Sequence, residues 1–192
     1  GIIVFYDAEH FFDAYQANKD YALKPLIAAQ EAGASAICLC DTNGGSLPAQ
    51  ITAAIKEISH RIKVDLSIHC HNDAGLAIAN SLAAIEAGAT IVQGTINGYG
   101  ERCGNADLIP IIANLKTKLK IDCIPDAQLK QLTHLSRFVS EISNMRLKNE
   151  QPFTGDSAFA HKGGMHINAI MKNPKTYEHI DPSIVGNRRR FL

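Results

Sequence analysis

Residues 28–45, "AAQEAGASAICLCDTNGG", and residues 83–100, "AAIEAGATIVQGTINGYG", follow one plan twice. Each begins with an alanine-rich helical end and reaches a glycine where helices stop. Each then passes through a short apolar run and closes in a glycine-rich loop. Between the copies lie a further helical segment, Pro48 to His60, and a further apolar run, Val64 to Ile68. Extending this spacing along the chain predicts strands near 2–6, 36–40, 64–69 and 91–95, with helices near 19–32, 48–60, 74–87 and 105–119. Apolar strands alternating with amphipathic helices mean βα units and a parallel sheet.

Four such units fit either half of a TIM (β/α)8 barrel or a small doubly wound sheet. The loops favour the barrel. Each strand ends in reactive residues: "DAEH", "DTNGG", "HCHND" and "TINGYGERCGN". Barrel enzymes carry their chemistry at that face. A dinucleotide fold would instead show GxGxxG in its first turn, and that spacing is absent. After Leu119 the pattern changes. "PDAQLKQLTHLSRFVSEISNM" has apolar residues at helical spacing and predicts one long helix. The remainder, rich in Gly, Pro and His, reads as a loop, a short helix near Met165–Met171 and an extended tail, poor in apolar residues. The expected organisation is therefore 1–122 as barrel and 123–192 as linker helix and lid or connector.

Composition narrows the function. Nineteen basic and nineteen acidic residues cancel, which gives no electrostatic case for nucleic acid or an anionic membrane. No apolar run approaches the roughly 20 residues of a spanning helix. The opening "GIIVFYDAEHFFDAY" lacks a basic segment and a cleavage site, so no signal peptide is expected. Five cysteines, none in a CxxC pair, read as reduced thiols of a cytoplasmic protein. Both chain ends look cut from something longer.

The densest chemistry lies in "SIHCHNDAGLAIAN", residues 67–80. On a strand, side chains two apart point the same way, so His69 and His71 would both face the barrel mouth. Neutral imidazoles in that arrangement suit a divalent cation. The alternative is one packed and one solvent-facing histidine; the following Asn72-Asp73 and the strand-end position favour metal. Asn105, in "GYGERCGNAD", is the candidate third ligand, or else a helix N-cap. Two imidazoles and an amide oxygen are compatible with Mn²⁺, Mg²⁺ or Zn²⁺. No fourth ligand is evident.

The stretch "HCHNDAGLAIANSLAAIEAGATIVQGTINGYGERCGNADL", with its HxHND and GT(I/V)NGxGERxGN signatures, resembles the acyl-CoA Claisen-condensing synthases. These are the 2-isopropylmalate, homocitrate and citramalate synthases, within the wider HMG-CoA-lyase-like metal-dependent barrels. The resemblance covers essentially the whole chain, and the tail "SAFAHKGGMHINAIMKNPKTYEHIDPSIVGNRRR" looks most like the citramalate branch. It implies that the chain holds barrel strands 5–8. It implies that His69, His71 and Asn105 bind a divalent metal, completed by a first-strand aspartate that is followed by an arginine; neither is present here. It implies that acetyl-CoA condenses with a metal-chelated 2-oxoacid, pyruvate before its larger homologues, and that the thioester is then hydrolysed. Thr95 and Asn97 are the implied substrate-binding residues, and Glu9 the implied strand-end active-site glutamate. His166 and Tyr177, in the connector, are implied to assist the reaction across a homodimer. Thr95 also reads as an ordinary strand residue, Glu9 as a helix cap, and His161, His166 and His179 as a polar lid.

Related lyases use a cysteine on the same glycine loop. The loop here, "GERCGN", follows the synthase pattern, so Cys103 reads as structural, with Glu101 and Arg102 expected to pair. Two rival readings stand beside the synthase: a lyase or aldolase of the same superfamily, and an inert fragment. A regulatory domain, expected from the family, is absent from these residues.

Overall fold

Unbroken apolar sequence builds the centre of the sheet. The computed structural model describes residues 2–192. Strand β2 (Ala36–Asp41, AICLCD) is buried at all six positions and has a strand on either edge. Its neighbours are β1 (Phe5–Ala8) and β3 (Asp65–Cys70), and β4 (Ile91–Gln93) closes the order β1-β2-β3-β4. Every pairing is parallel, with Asp7 opposite Cys38, Cys40 opposite His69, and His69 opposite Gln93. Helices α1 (Phe11–Ala17), α2 (Lys19–Glu31), α3 (Pro48–Ile58) and α4 (Ala77–Ala87) fill the connections.

The helices form for local reasons. In α3, Ile51, Ala54, Ile55 and Ile58 recur at helical spacing and are all buried. Pro48 opens its first turn, and the Gln50 side chain accepts from the Leu47 N–H at 2.7 Å. Gly88, at φ 120°, ends α4 as the repeat anticipated. The sequence missed α1. His10 turns the chain through the left-handed region at φ 54°, and Asn18 both ends α1 and caps α2 by accepting from the Tyr21 N–H at 3.0 Å. The first strand lies at 5–8 rather than 2–6, because pairing with β2 sets its register.

Asp107 is the last residue of this first compact unit, and Leu108–Leu192 form a second. The second unit holds α5 (Leu108–Thr117), α6 (Asp126–Leu129), α7 (Leu132–Ile142), β5 (Ala160–His161), α8 (Gly164–Lys172) and β6 (Arg190–Phe191). The single long helix expected after Pro125 is two helices, α6 and α7. Leu129 and Leu132 are buried on either side of the break, and Thr133 Oγ1 donates to the Val185 carbonyl at 2.7 Å. Tertiary packing overrides helical spacing there.

The remainder is also more than a loop, a short helix and an extended tail poor in apolar residues. Phe153, Phe159, Ile170 and Val185 are buried in it. The Asn187 amide donates to the carbonyls of Phe153 and Gly155 at 2.9 and 3.1 Å. Glu178, almost wholly buried, accepts from Arg189 through both oxygens at 2.7 and 2.6 Å. The Arg189 guanidinium, then the approach of His161, hold its carboxyl below the usual range.

Candidate active site

The C-terminal ends of the four parallel strands deliver polar residues to one edge of the sheet. His69 is the penultimate residue of β3 and His71 follows the strand. Their ring centroids stand 5.2 Å apart at 68°, close enough for one ion to reach both. Asn105 joins them through a backbone bridge to His71. His69 Nδ1, His71 Nδ1 and Asn105 Oδ1 are all buried and have no hydrogen-bond partner among the described residues. Buried polar atoms are almost always partnered. Three orphans on three adjoining side chains, two imidazoles and an amide oxygen, form a donor set that fits a divalent cation. Burial first, and then the His71 charge, keep the His69 imidazole below its ordinary range, against the pull of Glu9 and Asp7. His69 is therefore neutral near pH 7, as a ligand must be.

Asn105 is held by its loop. Its amide nitrogen lies 3.5 Å from the Tyr99 carbonyl, and its N–H donates to the Gly98 carbonyl at 3.0 Å. A Cβ at Gly100 would press on the Asn105 side-chain nitrogen, so the glycine leaves that side chain its place. Thr95 follows β4, and its hydroxyl donates to the Tyr99 carbonyl at 2.6 Å. Asn97 stands at φ 63° in the short 3-10 turn Ile96–Gly98. Both lie on the same loop as Asn105. Glu9 follows β1 directly and accepts from Thr42 Oγ1 at 2.8 Å, while that hydroxyl accepts from the His10 N–H at 2.7 Å.

His166 and Tyr177 belong to the second unit. Their ring centroids are 4.3 Å apart, so the two connector residues form one exposed aromatic pair. The next residue, Glu178, is the buried anchor described above.

Three features of the first unit escaped the sequence. Thr42 supports Glu9 across 33 residues of chain. The Gln93 amide donates to Asp7 Oδ1 at 3.1 Å, spanning the two strands between β4 and β1. Arg102 pairs with Asp73 at 2.8 Å, and its expected partner Glu101 lies farther off at 3.8 Å. The repeat gave a signal for Thr42, which stands in its glycine loop. The other two pairings carry no local signal.

The family model described as HMGL-like matches residues 8–139. The chain belongs to the HMGL-like family. A second model, "Homocitrate synthase post-HMGL domain-like", matches residues 153–192 of this HMGL-like chain. An (R)-citramalate synthase of Geobacter sulfurreducens is 56% identical, covering 98% of this chain and 36% of that protein. A probable 2-isopropylmalate synthase of Methanopyrus kandleri is 40% identical over 100% of this chain and 38% of its own length. The chain thus spans about a third of the length of the curated relatives it matches. Among solved structures, an HMG-CoA lyase of Acenitobacter baumannii, in complex with coenzyme A and 3-methylmalate, is 27% identical. It aligns at a TM-score of 0.55 over 65% of this chain and 43% of that one. The parallel α/β architecture is therefore that of the HMGL-like family.

Proposed function

We propose that this chain is the C-terminal half of the catalytic barrel, strands 5–8, of an enzyme that condenses acetyl-CoA with pyruvate to give citramalate. On this reading residues 1–122 are barrel and 123–192 are linker and lid. The full-length protein is a cytoplasmic homodimer. The observation that carries the reading is the orphaned set on His69, His71 and Asn105, at the strand ends of a chain 56% identical to a citramalate synthase.

His69, His71 and Asn105 would hold a divalent cation, Mn²⁺, Mg²⁺ or Zn²⁺, completed by a carboxylate from the rest of the full-length protein. When bound, the cation supplies Lewis acidity toward the keto oxygen of the 2-oxoacid. The remaining work falls to this chain's side chains. Thr95 and Asn97 bind the 2-oxoacid on the loop that carries Asn105. Glu9, held by Thr42, orients the acetyl group or a water. His166, reaching in from the other protomer of the homodimer, takes a proton from the acetyl methyl as general base. The carbon nucleophile so formed attacks the keto carbon, and water then releases the CoA thiol. Tyr177, in contact with His166, assists that proton movement.

The test is thiol release from acetyl-CoA by the full-length protein with Mn²⁺, across pyruvate, 2-oxobutyrate, 2-oxoisovalerate and 2-oxoglutarate. Pyruvate is expected to be preferred, and the 192 residues alone are expected to release no thiol. Preference for 2-oxoisovalerate would favour the second reading, a 2-isopropylmalate synthase, which the 40% identical relative supports. No release with any oxoacid, together with cleavage of a CoA thioester or an aldol, would favour a lyase or aldolase.

A further inference from the structure

All four strand-end loops of the first unit are joined by one chain of hydrogen bonds, and it passes through Arg102. Its Nε and one terminal nitrogen donate to the two carboxylate oxygens of Asp73 at 2.8 and 3.0 Å. The same terminal nitrogen donates to the Thr42 carbonyl at 2.6 Å. Thr42 Oγ1 in turn donates to Glu9 at 2.8 Å. Glu9 follows β1, Thr42 follows β2, Asp73 follows β3 and Arg102 follows β4. A planar fork is the group that can engage a carboxylate with two parallel bonds and still reach a carbonyl.

The loops around this fork are closed to within contact distance. A Cβ at Gly44 would lie 2.6 Å from Asp73 Oδ2, 2.8 Å from its N and 2.9 Å from the His71 carbonyl. The Ala74 N–H donates to the Gly44 carbonyl at 3.1 Å, and the Asn72 N–H donates to the Gly104 carbonyl at 2.9 Å. Arg102 itself sits at φ 53°, a left-handed conformation that a non-glycine residue keeps only when its surroundings hold it there. His71 lies two residues before Asp73, and Asn105 three after Arg102.

We propose that Arg102 is a positioning residue for the site: by fastening Asp73 and the Thr42 carbonyl it sets His71, Asn105 and Glu9 at their working separations. Among the described residues its partners are Asp73, Glu101 and the Thr42 carbonyl, none of them a proposed metal ligand. The proposal rests on the metal-dependent reading above. Groups that orient metal ligands from behind are worth ten- to a hundredfold in affinity as a rule.

The test uses the full-length protein and Mn²⁺ alone as the probe, with free Mn²⁺ followed by its electron paramagnetic resonance signal. Arg102→Lys keeps the charge and loses the fork. It is expected to weaken Mn²⁺ binding roughly tenfold, and to speed amide exchange in 42–47 and 71–75, with the melting temperature of the apo protein unchanged. Asp73→Asn should do the same, and the double variant should be no weaker than either single one. Should Arg102→Lys not fold, Gly44→Ala presses the same loops apart with Arg102 intact and should lose affinity similarly. Wild-type Mn²⁺ affinity in either folded variant, while the unaltered protein binds Mn²⁺ and releases thiol, overturns the proposal and leaves the function standing. Unaltered protein that neither binds Mn²⁺ nor releases thiol overturns both.

Discussion

The sheet edge and the C-terminal segment are held together by different forces, though both carry proposed catalytic residues. In the first unit, the two six-residue central strands, β2 and β3, bury apolar side chains and the polar groups sit on loops above them. In the second, strands of two residues are tied beside a buried ion-pair cluster, Glu178 with Arg189 and His161, while Asp156 with Arg137 and Arg190 lies at the surface. A hydrophobic scaffold has no charges for salt to screen or acid to titrate, whereas an ion-paired one has. The difference teaches that the strands beneath the metal-ligand candidates are the more tolerant frame, with the Arg102–Asp73 pair as the charged fastening on the loops above them, and that His166 and Tyr177 stand on the segment that acid should loosen first.

The largest effect expected is on the site itself. Changing His69 and His71 to Ala together should weaken Mn²⁺ binding by the full-length protein at least about a hundredfold, while its melting temperature holds; a double variant that still binds would break the comparison at its base. Next, Ile68→Ala under the site should cost about 3 kcal/mol in denaturant unfolding, since Ile68 is fully buried. That loss should not vary between about pH 5 and 8, because no charge is removed.

Glu178→Gln should cost about 2 kcal/mol at neutral pH, by leaving Arg189 without its carboxylate partner. Its dependence on pH sharpens the contrast. The folded carboxyl titrates below its unfolded value, so its contribution is complete above roughly pH 5 and fades as pH falls through the folded value. The wild-type protein and the Glu178→Gln variant should therefore converge in stability toward acid, and parallel curves would show that the Glu178 carboxylate is not the source. The smallest effect belongs to the exposed pair Arg137–Asp156, where Arg137→Ala should change stability by less than about 0.5 kcal/mol.

Much of the first unit was legible because its signals are local. Glycines after alanine-rich helices and apolar runs before loops put β2 and β3 within a residue of their places and β4 within two; only β1 slid by three. The HxH spacing put His69 and His71 on one side of a strand end. The second unit was less legible. Leu129 and Leu132 keep helical spacing through the break between α6 and α7, so periodicity carried straight across it. The polar tail hid its core, because Glu178 and Arg189 read as surface charges when their pairing is unknown.

The sequence by itself determined the βα alternation, the parallel sheet and the residue types gathered at its end. Period and spacing are properties of neighbouring residues, and the backbone converts them directly into faces and ends. Only the tertiary structure decided which distant groups meet: Arg102 with Asp73 more closely than with Glu101, Gln93 with Asp7 across two strands, Thr42 under Glu9. Such pairs depend on the register between strands and on the closeness of loops. That information lies in the packed chain, since a charge in a sequence has many possible partners and no distance to any of them.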